Sequence, residues 1–151
     1  MTSFQVWIEG QPKPQPRARA FARKVKGGAT VARMFDAGTA EAWKSCVAEA
    51  VRPHLPAKPE TCAFAVWISI HLARPASHYG RKKGQPYLKP DAPRSHTGRG
   101  DADNFAKAVL DALTRLSLWK DDGQVAELHV TKNYTESAPG AWLRVAERKG
   151  A

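Results

Sequence analysis

The chain opens on a two-residue alternation. Phe4, Val6 and Ile8 interleave with Gln5, Trp7 and Glu9, which predicts a half-buried strand because successive strand side chains point to opposite faces. From about Thr39 to Arg52 the period lengthens. Trp43, Cys46, Val47 and Ala50 recur at i, i+3, i+4 and i+7, the spacing of one helix face. Thr39 stands where an N-cap is wanted and Pro53 closes the helix. Phe64 to Leu72, FAVWISIHL, is apolar on both faces apart from Ser69 and His71 and predicts a central strand.

A second helix is predicted from Asn104 to Leu116. Phe105, Val109, Ala112, Leu113 and Leu116 form its apolar stripe, while Asn104, Lys107, Asp111 and Arg115 share another face. Val125 to Tyr134 alternates again, and AWLRVA, Ala141 to Ala146, is expected to pair with it as a terminal strand. The order strand, helix, strand, helix, strand, strand predicts an α+β fold in which two main helices pack on a small mixed sheet. One domain spanning 1–151 accommodates it, a length that buries a core without disulfide staples. Strand order within the sheet does not follow from pattern.

Two segments interrupt the periodicity. QPKPQPRARAFARKVKGGATVARM, with prolines at 12, 14 and 16, reads as an extended loop, and Ala73 to Gly100 reads as a second long loop. Each holds seven basic residues, so together they carry 14 of the chain's 24. Loops of such length inside a compact domain are functional or disordered, and one-sided charge favours function.

Composition then narrows the class. Apolar residues at 42% and charged residues at 25% are globular. No window approaches a membrane span and the N-terminus lacks the charged-then-apolar signature of a signal peptide, so a cytoplasmic protein is expected, with no membrane partner. Cys46 and Cys62 lack metal or redox spacing and read as buried thiols. The net charge of +10 points to a polyanionic partner, because phosphate neutralisation and counterion release drive such binding. Lys13, Arg17, Arg19, Lys82 and Lys83 are the candidate DNA-backbone contacts, which position without reading bases.

Against that charge, Asp101, Asp103, Asp111, Asp121 and Asp122 crowd into the span 99–125. In an extended segment, residues i and i+2 point the same way, so Asp101 and Asp103 can face one point. Alternatively Asp103 caps the following helix. Lys107 lies one turn past Asp103 and is either a surface lysine or a contact for a phosphate oxygen. KDDG is a turn. If that turn folds back to the Asp101 end of the helix, three or four carboxylates meet, and such a cluster either raises its own pKa values or binds a hard cation. Oxygen-only donors favour Mg²⁺ or Mn²⁺ over zinc. The residues alone read as a metal-dependent nuclease.

GDADNFAKAVLDAL followed by LWKDDGQVAELHVTK closely resembles the pattern D-x-D-N-x-x-K-x-x-x-D-A-L, then W-x-D-D-x-Q-V, of RusA-type Holliday junction resolvases. GQPKPQPRAR and ARPASHYGRKKGQPYLKPD resemble that family's basic N-terminal loop and its RP-x-SH and KPD segments. The resemblance implies a small homodimeric, Mg²⁺-dependent endonuclease, with Mn²⁺ able to substitute. Such an enzyme resolves four-way DNA junctions by paired symmetric nicks in recombination and repair, in a bacterial or phage setting. By matching motif positions, it assigns Asp101, Asp103 and Asp122 as catalytic, metal-binding acids and Lys107 as the catalytic lysine on the phosphate. Asp111 falls in a supporting place and Asp121 stays open. One departure is APRSHTGRG, which separates Lys89-Pro90-Asp91 from Asp101. Two other readings stand beside this one, a non-catalytic branched-DNA-binding module and a nuclease for flap or fork DNA.

Overall fold

The computed structural model describes residues 3–16, 19–24, 27, 30–35 and 40–150, with only the backbone for 19–24 and 30–35. In chain order its elements are β1 (Ser3–Glu9), β2 (Arg19–Lys24), β3 (Thr30–Phe35), α1 (Glu41–Val51), β4 (Phe64–Ala73), β5 (Tyr79–Lys82), β6 (Gln85–Leu88), α2 (Ala102–Arg115), β7 (Val125–Thr135) and β8 (Gly140–Glu147). The α+β architecture is the expected one. Thr39, the expected cap of α1, lies outside the described residues; Ala40 occupies the N-cap position, without a side-chain hydrogen bond.

The main sheet has four strands in the order β1-β8-β4-β7. β4 is central, as its apolar run predicts. β8, however, does not pair with β7. It runs antiparallel to both β1 and β4, while β7 runs parallel to β4 on the far side. Burial explains the exchange. Ala141, Leu143 and Val145 of β8 are fully buried and need strands on both sides, whereas β7 carries Glu127, His129 and Lys132 and suits an edge.

Both helices lie on one face of this sheet. Phe64, Val66, Ile68, Ile70 and Leu72 of β4 point into a single core with Trp43, Val47 and Val51 of α1 and Phe105, Val109 and Leu113 of α2. Each such side chain contributes about 1.5–3 kcal/mol when fully buried, so this layer fixes where α2 sits. Buried Ala106, Ala108 and Ala112 leave little bulk between α2 and its neighbours. Among the described residues, no helix lies on the opposite face of the sheet, which carries Trp7, Trp67 and Trp142.

Each basic segment expected to be a long loop contains a hairpin. β2 pairs with β3 and β5 with β6, both antiparallel. The two residues joining β5 to β6, Lys83 and Gly84, have φ of 50° and 78°, the type I′ geometry that matches strand twist. Clustered charge hides this alternation in the sequence. The APRSHTGRG insert is also ordered: the His96 N–H donates to the Lys132 carbonyl at 3.1 Å and the Tyr134 N–H to the Arg94 carbonyl at 2.8 Å. It therefore covers the outer edge of β7.

Candidate active site and nucleic-acid interface

Gly100 sets the start of α2. Its φ is +106°, and a Cβ there would sit 2.7 Å from the Phe105 ring, so only glycine fits. Its carbonyl accepts a hydrogen bond from Lys132 Nζ at 2.6 Å. Asp101 follows in an extended conformation at the N-cap position, with no side-chain capping bond, and Asp103 falls in the first turn. This corrects the extended-segment reading: Asp103 is helical, so the pair is not related by strand geometry, and neither acid makes the capping bond. Both are exposed at the helix end whose dipole favours negative charge. Asp103, Lys107 and Asp111 then recur at four-residue spacing, one line along α2.

The proline-rich segment is laid against this end of the helix. The Gln15 N–H donates to the Asn104 carbonyl at 2.8 Å. Lys13 is exposed beside it. Arg17 lies outside the described residues; Arg19 begins β2, its side chain likewise outside them. Lys82 and Lys83 are exposed at the tip of the β5–β6 hairpin.

The second acidic element is a 3-10 turn, Asp122–Gln124, with Asp121 as its N-cap. Asp121 Oδ1 accepts from the Gly123 N–H at 3.1 Å, which gives the open member of the cluster a structural task. Gln124 ties the turn down. Its Oε1 accepts from the Lys120 and Asp121 N–H groups, and its Nε2 donates to the carbonyls of Glu60 at 3.0 Å and Cys62 at 2.9 Å. Beneath it, buried Trp119 packs on Phe64 at 5.2 Å and donates to Thr114 Oγ1 at 2.8 Å. The turn is thus fastened to α2 and to the start of β4.

Electrostatically the two aspartates diverge. The Gly123 N–H, followed by the bond from Asp122, holds the Asp121 carboxyl below the usual range. The hydrogen bond to Asp121, together with burial, pushes the Asp122 carboxyl up, while Lys107 pulls it back down. One carboxyl raised beside one lowered is the pattern of two acids in close contact. Lys107 and Asp111 both act on Asp122, so the turn faces the middle of α2. Among the described residues, no three acidic, His or Cys side chains converge closely enough to hold a metal ion. The donors fit a hard cation in kind, being oxygen only, but they are spread along the seam between α2 and the turn.

Three groups escaped the sequence reading. Lys44, on the buried side of α1, is 4% exposed and its ammonium lies 3.8 Å from Asp111 and 3.9 Å from Glu41. Arg74 of the RP-x-SH segment spans the base of the second basic region: it donates to the Pro93 carbonyl at 2.7 Å and lies over the Tyr134 ring. His96 stands edge-on to Phe105 and Tyr134, and burial, with Lys132 nearby, lowers its pKa. Lys44 reads as an ordinary surface lysine because nothing in the sequence spacing sets the Asp111 carboxylate against it. The other two lie in segments without periodicity, where contacts cannot be inferred.

No helix among the described residues is long and apolar enough to cross a membrane. The family of endodeoxyribonuclease RusA matches residues 9–146. A Bacillus subtilis (strain 168) protein, by name the uncharacterized protein YqaN, is 30% identical over 136 residues, which is 90% of this chain and 91% of that one. The family match takes in the Asp101–Asp122 block and both basic segments, and on that extent the chain belongs to the RusA endodeoxyribonuclease family.

Proposed function

We propose that this endodeoxyribonuclease resolves four-way DNA junctions by paired symmetric nicks, as a homodimer that depends on Mg²⁺ and accepts Mn²⁺. The observation that carries the reading is the match to the endodeoxyribonuclease RusA family over residues 9–146, which takes in the Asp121–Asp122 turn that Gln124 fastens to the start of β4. Asp101, Asp103 and Asp122 are the proposed metal donors. Mg²⁺ held by these carboxylates would activate water for attack and offset charge on the phosphodiester.

The chain's own residues do the remaining work. Lys107, exposed on α2 and one turn from Asp103, donates to an oxygen of the scissile phosphate and stabilises the charge that develops there. Lys13, Arg17, Arg19, Lys82 and Lys83 hold the backbones of the junction arms, which positions the DNA without reading its bases. The β5–β6 hairpin suits this task, since its type I′ turn projects two ammonium groups on a rigid two-stranded support. A two-fold dimer places two such sites for the two symmetric cuts.

The test uses a labelled four-way junction alongside linear duplex, flap and fork substrates, with and without Mg²⁺. Paired nicks on the junction alone support the reading. Cutting of flaps or forks in preference moves the substrate, and binding without nicks under every metal condition removes catalysis.

A further inference from the structure

We propose that Tyr87, on the β5–β6 hairpin, is a stacking platform for an unpaired nucleobase of the DNA. The inference deepens the grip on DNA proposed above and rests on that reading, but not on metal chemistry or on nicking.

The hairpin register sets Tyr87 directly opposite Gly80. Opposite residues share one face of the ladder, and residues two apart along each strand join them, so Lys82 and Gln85 stand on the Tyr87 side. Gly80 carries nothing above its backbone, and the ring fills that space. A Cβ at Gly80 would lie 2.5 Å from Tyr87 Cζ and Oη and 2.8 Å from Cε1. One side of the ring is therefore laid on the opposite strand. The residue is still 48% exposed, so its other side is open to water. A ring backed by main chain and open on its outer side is the kind of surface on which a base stacks.

The surroundings decide the occupant. Tyr87, Leu128 and Trp142 are the exposed large apolar side chains among the described residues. Leu128 and Trp142 belong to the four-stranded sheet, whereas Tyr87 stands among cations. Residues 73–90 contain no acid, and among the described residues neither Lys82 nor Lys83 pairs with a carboxylate. An apolar protein surface offers those ammonium groups nothing to neutralise. A nucleotide brings a π-face for the ring and a phosphate for the lysine. Diagonal neighbours across a ladder lie about 7–8 Å apart, within reach of a long side chain, so Lys82 can meet the phosphate of a nucleotide whose base lies on Tyr87.

The platform is fixed relative to the acidic cluster. The Lys89 N–H donates to the His78 carbonyl and Lys89 Nζ to the Ser77 carbonyl, each at 2.9 Å, which closes the base of the hairpin. The His78 ring stands edge-on to Tyr134 at 4.7 Å, Tyr134 to His96 at 5.0 Å, and His96 to Phe105 at 6.5 Å. Phe105 donates its N–H to the Asp101 carbonyl. A series of packed rings thus joins the hairpin to the helix end that carries Asp101 and Asp103. Bases inside a duplex are stacked on both sides, so such a platform favours DNA whose bases are already unpaired.

The experiment is fluorescence anisotropy with the full chain in EDTA, using a labelled thymidine oligonucleotide and an abasic strand of the same length and charge. Wild type is compared with Tyr87→Ala, Tyr87→Phe, Gly80→Ala and Lys82→Ala, each shown to be folded by far-UV circular dichroism. Wild type should bind the base-bearing strand at least about fivefold tighter than the abasic one. Tyr87→Phe should keep that preference and Tyr87→Ala should lose it. Gly80→Ala keeps the ring but drives it off the opposite strand, and should reduce the preference as well. Lys82→Ala should weaken both strands alike and lower the salt slope by about 0.7. A wild type without the preference, or a folded Tyr87→Ala or Gly80→Ala that keeps all of it, overturns the inference. A chain that shows the preference but nicks no junction loses only the nuclease reading, and one that nicks a junction without the preference loses only the platform.

Discussion

Asp111 divides its carboxylate between two lysines: Oδ1 accepts from Lys107 Nζ at 3.3 Å, and Oδ2 lies 3.8 Å from Lys44 Nζ. The Lys107 side chain is 57% exposed and that of Lys44 is 5% exposed. The buried ammonium therefore anchors a carboxylate that in turn steers the exposed one. Asp111→Asn should leave Lys44 with only the more distant Glu41 and release Lys107. The expected cost is about 1–3 kcal/mol in stability, together with roughly tenfold slower nicking, equivalent to about 1.4 kcal/mol in the barrier. Thermal melts and single-turnover nicking at saturating junction measure the two effects separately, and junction affinity should hold.

Gln124 offers a sharper view of how the DD turn is held. Its side chain satisfies two N–H groups of the turn and two carbonyls before β4. Gln124→Leu keeps the bulk and removes all of those partners. It should destabilise the fold by about 1–3 kcal/mol for each buried group left unpaired, and it should lower nicking more than Asp121→Asn does. Equal stability of Gln124→Leu and wild type in a urea melt would remove the turn's dependence on this residue.

Ser117 ends α2 with φ of 60°. The Leu118 N–H donates to the Leu113 carbonyl at 3.2 Å and the Ser117 N–H to the Thr114 carbonyl at 3.0 Å, the bonding that normally places glycine at this position. A left-handed non-glycine residue costs roughly 1–2 kcal/mol. Ser117→Gly should therefore raise the melting temperature by about 2–4 °C, with no change in nicking. An unchanged or lower Tm would contradict the strain.

His96 makes stability depend on pH in a known direction. Burial, then Lys132, lowers its pKa in the fold, so the unfolded chain binds a proton more readily than the folded one just below the ordinary histidine range. By linkage, stability rises with pH there. The contribution is complete above the unfolded pKa, about 6.5, and is lost as pH falls toward the depressed folded value. His96→Gln should flatten the Tm profile at and just below the ordinary histidine pKa of about 6.5. A slope the same as that of the wild type would assign the dependence to another group.

Much of the architecture is legible along the chain because it rests on periodicity. β1, β4 and α2 each announce a buried face, and the single sheet with two helices follows. The neighbours of β8 are not legible, since AWLRVA alternates equally well beside β7 or between β1 and β4. Only the competition for burial among strands decides. Charge hides the two hairpins, because Arg81, Lys82 and Lys83 mask a turn that backbone twist prefers. At the candidate site, residue types and spacing nominate Asp101, Asp103, Lys107 and the DD turn. What they cannot supply is the conformation at Asp103, which depends on Gly100 and Phe105, or the direction of the turn, which depends on Gln124 reaching the start of β4. Lys44 is invisible for a simpler reason: a lysine on the buried side of a helix is rare, and only its facing carboxylate explains it.

Catalysis by the acidic cluster is tested most directly with Asp103→Asn on a labelled four-way junction in Mg²⁺. The substitution removes one ligand charge and leaves the basic hairpins intact. Junction binding should stay within about threefold of wild type, since phosphate contacts carry affinity, while nicking falls by at least about a hundredfold. Nicking at the wild-type rate would contradict the assignment of the cluster as the catalytic centre.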